Sequence, residues 1–421
     1  MVSRRAFLAT LLSGTAGCTG LVPSSSTTTD EPPTTRRTQS PTETTKSTET
    51  TTTPEDTTGT PEDAAATQCG AQWDPTVEWS VNTKLRVFQP AVADGVVYAG
   101  SHNQLLYAVD AATGTVLWKT HANVAFGASP TVSGQTLTFG GYSRIARYDT
   151  TTGDRVWSFT PPGDRASLSE QHATDGETVY VGASQRPTPQ TDPEPTYDRV
   201  YALDLTEGTT LWQTSIGGDD RDAWAVPEAV TAALGRVYVA TEQGELVVLD
   251  AADGSIRWRR RFGESRDRAD RPVVFDGILY QSVGDMTYAL DATTGESLWY
   301  DSGDYPPAVT EGATYFAHDS TVEAHSPADG SVWWCARFPC DGVGGTPAVS
   351  DGVVYVPVGC HESNAAVYAL DATDGCRLGS FEVESDDVTT PVVGDESVYV
   401  GGLSGSAKLW SLSAAAVRDS S

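Results

Sequence analysis

Short runs of alternating apolar residues recur along this chain, and a polar turn and one more short run follow each. Residues 90–120 give the template. Pro90-Ala91-Val92, Val96-Val97-Tyr98-Ala99-Gly100, Leu105-Leu106-Tyr107-Ala108-Val109 and Val116-Leu117-Trp118 read as four strands, separated by Asp94-Gly95 and Ala112-Thr113-Gly114 turns. Runs this short, rich in β-branched and aromatic residues and bounded by glycine, predict strands rather than helices. Asp ahead of the last turn can accept backbone N–H bonds, and Gly supplies the positive φ.

The phrase Asp-x-x-x-Gly-x-x-x-Trp marks the end of each unit. It stands at Asp110-Gly114-Trp118, Asp149-Gly153-Trp157, Asp204-Gly208-Trp212, Asp250-Gly254-Trp258 and Asp291-Gly295-Trp299. Two degenerate copies follow: Ser326-Gly330-Trp334, and Asp371-Gly375 with Gly379 in the Trp position. A period of about 40 residues is the mark of a propeller or a solenoid, since one unit cannot bury both faces of its own sheet. Further unit starts at Pro130, Pro227, Pro272, Pro307, Pro347 and Pro391, with the third near His172, bring the candidate blades to eight. The last has only three strands, and Val77-Glu78-Trp79-Ser80-Val81 at the front of the domain matches the missing fourth. The fold predicted is all-β: an eight-bladed β-propeller of four-stranded antiparallel blades, the last blade closed by the N-terminal strand. That closure leaves no open edge between blades.

Composition divides the chain. Residues 1–22 read as a targeting segment: Arg4-Arg5 form a twin-arginine signal, a short apolar run follows, and Thr15-Ala16-Gly17-Cys18 resembles a lipoprotein box that would lipidate Cys18. The apolar run is too short for a lasting transmembrane helix. Residues 23–68, mostly Thr, Ser, Pro and Glu, have nothing to bury and read as a disordered stalk, with a coil span of about 35–40 Å. The propeller occupies 69–416 and a short tail 417–421.

The net charge is −29, with 56 acidic against 27 basic residues, of which only four are Lys. This suits a protein of a salt-adapted cell and argues against nucleic acid as a partner. Against that background Arg257, Arg259, Arg260, Arg261, Arg266, Arg268 and Arg271 crowd together. Interleaved carboxylates make mutual salt bridging the plain expectation. The sharper one is an anion or partner site at Arg260, Arg261, Arg266 and Arg268, with His172 and Trp224 facing the funnel; His121 and Asn123 lie in a similar entry loop. The longest interruptions, Ser184–Asp198 and Gly359–Ala365, fall on one face and read as grown loops or recognition loops.

If Cys18 is lipidated, five cysteines remain, so two bridges and one spare, or fewer bridges, are expected. Blade geometry favours Cys340–Cys360 on one rim and Cys69–Cys376 on the other, with Cys335–Cys340 as a rival. His361 beside Cys360 raises a metal reading, but the spacing fits no common zinc pattern and no metal is expected.

The copies at Val109–Trp118 and Leu290–Trp299 resemble the tryptophan-docking motif of the pyrroloquinoline-quinone (PQQ) repeat family of eight-bladed propellers, over roughly Val77 to Ser413. That family includes quinone-dependent alcohol and sugar dehydrogenases and non-catalytic lipoproteins that help assemble outer-membrane proteins. The dehydrogenase traits are missing here: no vicinal Cys pair, no Cys-x-x-Cys-His, no calcium-ligand set that matches residue by residue, and no long inter-blade insertions. No Ser/His/Asp nucleophile pattern and no phosphate-binding loop occur either. Together with the Arg4-Arg5 signal and the Cys18 box, the expectation is a lipid-anchored, extracytoplasmic and monomeric scaffold that binds an envelope protein or surface ligand without a cofactor. A PQQ- and calcium-dependent dehydrogenase, or a small-ligand or glycan receptor, is the alternative.

Overall fold

The computed structural model describes residues 68–414, apart from 123–128, 164–165, 186–196, 218–225, 263–266, 339–341, 360–363 and 405–406; for 68–72 only the backbone is described. By internal contacts the chain divides into Met1–Ala64 and Ala65–Ser421, and the described residues all belong to the second unit. They contain strands and no helix, so none could cross a membrane as one.

Eight antiparallel sheets form the ring. Blade one runs Ala91–Ala93, Val96–Gly100, Leu105–Asp110 and Val116–His121, from the axis outwards. Blade eight takes its outer strand from the front of the domain: Val77–Asn82 pairs antiparallel with Lys408–Ser413. The expected closure is therefore present. The turns form as their sequence predicts: the Asp110 carboxylate accepts the Thr113 N–H at 2.8 Å, and Asp291 does the same for Thr294 at 2.7 Å.

The repeated Trp works across the seam between blades. Trp118 donates its indole N–H to the Thr150 carbonyl of the next blade (2.9 Å), Trp212 to Ala251 (2.9 Å) and Trp334 to Ala372 (3.1 Å). Its ring covers the turn glycine of that next blade. A Cβ on Gly208 would stand 2.5 Å from Trp157, and one on Gly375 2.4 Å from Trp334. The motif glycine is thus required twice, by its positive φ and by the ring lying on it. A bulge precedes each Trp: Ala108 faces Trp118 and Val109 faces Val116, leaving Leu117 unpaired. The bulge turns Trp118 into the seam and Leu117 outwards, where it is 51% exposed.

Blade seven departs from this plan. It lacks the Trp, and Gln68–Trp73 adds a parallel strand along its outer edge, Arg377–Glu382. Trp73 supplies the missing ring, donating to the Ser413 carbonyl at 2.9 Å. Leu378, the bulge residue here, is only 4% exposed because that strand covers it. The apolar core otherwise lies in the seams, between the faces of neighbouring blades.

Candidate functional site

The turns joining second and third strands share one face with the connections from each outer strand to the next inner strand. Both long interruptions rise from this face, and both are braced. In blade three the strands Thr178–Gln185 and Tyr197–Asp204 reach two residues into the segment expected as loop at either end, and Ala166–Leu168 pairs with Ala183–Gln185. In blade seven Gly342–Val343 pairs with Val358–Gly359.

The axis carries a cavity of about 350 Å³ near the same face. Its wall is built from the residue two places before each inner strand: Gln89, Ser129, Gln171, Arg271, Thr346 and Thr390. Blade four breaks the series. Its inner strand Pro227–Ala233 starts early, so Pro227 is offset by three residues from the other starts and Thr231 faces the cavity instead. Among the described residues no carboxylate lines the cavity, and Arg271 is the one charged group there.

At the mouth, Arg268 bridges Glu170 (3.0 Å) and Glu228, while the Tyr142 hydroxyl donates to Glu170. Burial pushes the Glu228 pKa up to about 7; Arg268 opposes this, and the neighbouring Glu170, Glu242 and Asp270 add to it. These acids are organised around a guanidinium, and no group of three or more acidic, His or Cys side chains among the described residues could hold a metal ion.

The arginine cluster separates radially. Arg257 pairs with Asp250, and Arg259 lies 3.5 Å from Glu245. Arg260 is spent in the seam to blade five, donating to the Gly295 carbonyl and the Ser297 hydroxyl, both at 2.6 Å. Arg261 is exposed on the outer strand and makes no ion pair with the described residues. Arg260 and Arg268 thus sit at the rim and at the mouth, and do not converge on one ligand.

His172 is buried, and its Nε2 lies 2.9 Å from the Thr138 hydroxyl. Thr138 stands where the other seven blades carry a Tyr at the same register. Burial, and secondarily the Arg271 charge, push the His172 pKa down to about 4. It is a neutral wall residue at pH 7.

Arg4, Arg5, Cys18, Asn123, Trp224, Arg266, Cys340, Cys360 and His361 lie outside the described residues. The Cys340–Cys360 pairing falls there too. Cys335 and Cys376 are both disulfide-bonded. The backbone of Gln68, next to Cys69, lies opposite Arg377, next to Cys376. Two roles escaped the sequence reading: that of Arg271, named there only as one of the arginine cluster, and that of Trp73. Arg271 was legible only by aligning what precedes each inner strand, and Trp73 only by noticing a surplus Trp ahead of a blade that lacks one.

A quinone held by calcium needs several oxygen ligands, carboxylates among them, close to the quinone. The described residues of the cavity offer hydroxyls, amides and a guanidinium, and these do not fit that group.

A family model described as "Outer membrane protein assembly factor BamB" matches residues 70–223, 196–315 and 318–418. The outer membrane protein assembly factor BamB of Escherichia coli is 26% identical over 78% of this chain and 87% of its own length. Tetrathionate hydrolase of Acidithiobacillus ferrooxidans is 23% identical over 74% of this chain and 70% of its own. Among solved structures, BamB of Moraxella catarrhalis superposes with a TM-score of 0.62 at 18% identity, covering 81% of this chain and all of that one. Quinohemoprotein alcohol dehydrogenase of Comamonas testosteroni reaches 0.65 at 12% identity, over 82% and 78%. At these identities the structural likeness speaks for the fold alone.

Proposed function

This chain belongs to the PQQ-like β-propeller family whose model is described as outer membrane protein assembly factor BamB, and on that premise we propose that it is a non-catalytic scaffold of the cell envelope. It is exported through the Arg4-Arg5 signal, anchored by a lipid on Cys18, held off the membrane by the Thr-rich stalk, and presents one face of its ring to a protein partner.

The observation that carries this reading is the pair of strand-braced hairpins in blades three and seven, rising from one face of the closed ring. Bracing lowers the entropy cost of ordering a loop on binding. Catalysis by a calcium-bound quinone is the competing reading, and the donor set of the axial cavity counts against it. The Cys69–Cys376 bridge belongs to the proposal as well, pinning the added outer strand of blade seven.

Photo-crosslinking in the intact envelope tests it. Tyr142 is 42% exposed on the hairpin face, and Leu234, 57% exposed, sits in a turn on the opposite face. A crosslinker at 142 should give a discrete adduct with an envelope protein, and one at 234 should not. Equal labelling from both faces, or stoichiometric binding of PQQ with calcium, would end the scaffold reading.

A further inference from the structure

We propose that the axial cavity is a binding site for a small oxyanion, a carboxylate or sulfate, held by Arg271. In a chain with twice as many acids as bases, one guanidinium stands on the ring axis with no carboxylate among the described residues lining the cavity beside it. Its only hydrogen bond to a described residue is a long one, Nε to the Thr231 hydroxyl at 3.5 Å. Both terminal nitrogens, with their four N–H groups, face no described acceptor. Asp270, its sequence neighbour, feels Arg268 and not Arg271. Arg257, Arg259 and Arg268 of the same cluster each meet a carboxylate, and Arg271 meets none among the described residues.

The rest of the wall suits an anion. Ser129, Thr346 and Thr390 bring hydroxyls that can turn to donate, and Gln89 and Gln171 bring amide N–H groups. The Gln171 side-chain oxygen is buried without a partner among the described residues, and turning the amide over would present its N–H groups there instead. A smaller pocket of about 100 Å³, lined by Gln89, Ser129, Gln171, His172 and Arg271, adjoins the main cavity on the same guanidinium. A planar guanidinium fork matches two oxygens of one anion, and low-dielectric walls strengthen that pairing. The volume lies at the small end of ligand cavities, which excludes large polyanions. The site is independent of what docks on the hairpin face, and its loss leaves the scaffold reading untouched.

Crystals of the full chain grown with selenate should show an anomalous peak within about 4 Å of the Arg271 guanidinium. In solution, replacing chloride by sulfate at fixed ionic strength, with potassium as the only cation, should raise the melting temperature of the wild type. Arg271→Gln should lose that shift and bind sulfate about tenfold or more weakly. Should that variant fail to fold, Arg271→Lys keeps the charge without the fork and should show a reduced shift. Selenate scattering only at surface arginines, or an equal sulfate shift in wild type and variant, would overturn the proposal.

Discussion

Trp73 and Gly379 face each other across a parallel strand pair, and each explains the other. A Cβ on Gly379 would stand 1.9 Å from the Trp73 carbonyl oxygen. The Trp73 ring packs edge-on to Tyr355 at 5.7 Å, as Trp299 packs on Tyr280 at 5.9 Å in its own blade. Blade seven has given up its Trp so that a strand some 300 residues earlier in the chain can lie close enough to supply one.

Trp73→Ala should therefore cost about 3–5 kcal/mol, as for other buried Trp truncations. Gly379→Ala should lift the added strand, and Trp73 with it, through the clash with the Trp73 backbone and Cβ. Urea unfolding measures the first. Faster proteolysis just before Trp73 measures the second, and unchanged cleavage there would mean that strand pairing does not depend on the glycine.

Two turn glycines, one outside the motif and one within it, separate two physical costs. Gly277 and Gly208 both have positive φ, +81° and +73°, but a Cβ on Gly277 meets nothing within 4 Å, while one on Gly208 meets Trp157 at 2.5 Å. Gly277→Ala should cost about 1–2 kcal/mol from backbone strain. Gly208→Ala should add about 1–3 kcal/mol for the displaced ring. Equal losses in denaturant midpoint would show that the Trp is free to move.

His325 is fully buried in the seam between blades five and six and stacks on Trp299 at 6.3 Å. Its Nδ1 faces the Gly330 carbonyl and its Nε2 the Glu323 carboxylate, both at 3.1 Å. His325→Ala leaves Glu323 with only His318, 3.6 Å away. Leaving a buried carboxylate short of a hydrogen-bond donor costs about 1–3 kcal/mol, so this change should destabilise more than Glu323→Gln made together with His325→Phe. A double-mutant cycle by chemical denaturation decides it.

Glu228 sets a pH window. Its folded pKa, raised to about 7, lies above the ordinary 4.5, so the folded chain holds this proton more tightly than the unfolded chain. Its contribution is fully present below pH 4.5 and is lost as pH rises to about 7. Relative to Glu228→Gln, the wild type should lose stability across that interval and run parallel above it. Unfolding free energies at four or five pH values, at fixed salt, test the sign.

The lipid anchor has its own test. Cys18→Ala should move the protein from the membrane pellet to the soluble fraction, with the propeller still folded. Retention in the pellet would place the anchor elsewhere.

The sequence by itself determined the number of blades, the strand order within each, the turn chemistry and the closure by Val77–Asn82. All rest on local rules: period-two alternation, Asp and Gly at fixed offsets, and a repeat that must stack to bury its faces. It also marked the hairpin face, because the departures from the repeat at 184–198 and 359–365 both fall there. Only the tertiary structure decided that Trp118 belongs to the seam with the next blade, that Trp73 replaces the Trp missing at Gly379, and that the arginine cluster scatters between rim, mouth and axis. These depend on which residues meet across the ring, and no local pattern records a contact between positions 73 and 379. Arg271 shows the same limit: its neighbours in sequence are acids and arginines, while its neighbours in space are the uncharged residues that enter the axis from the other blades.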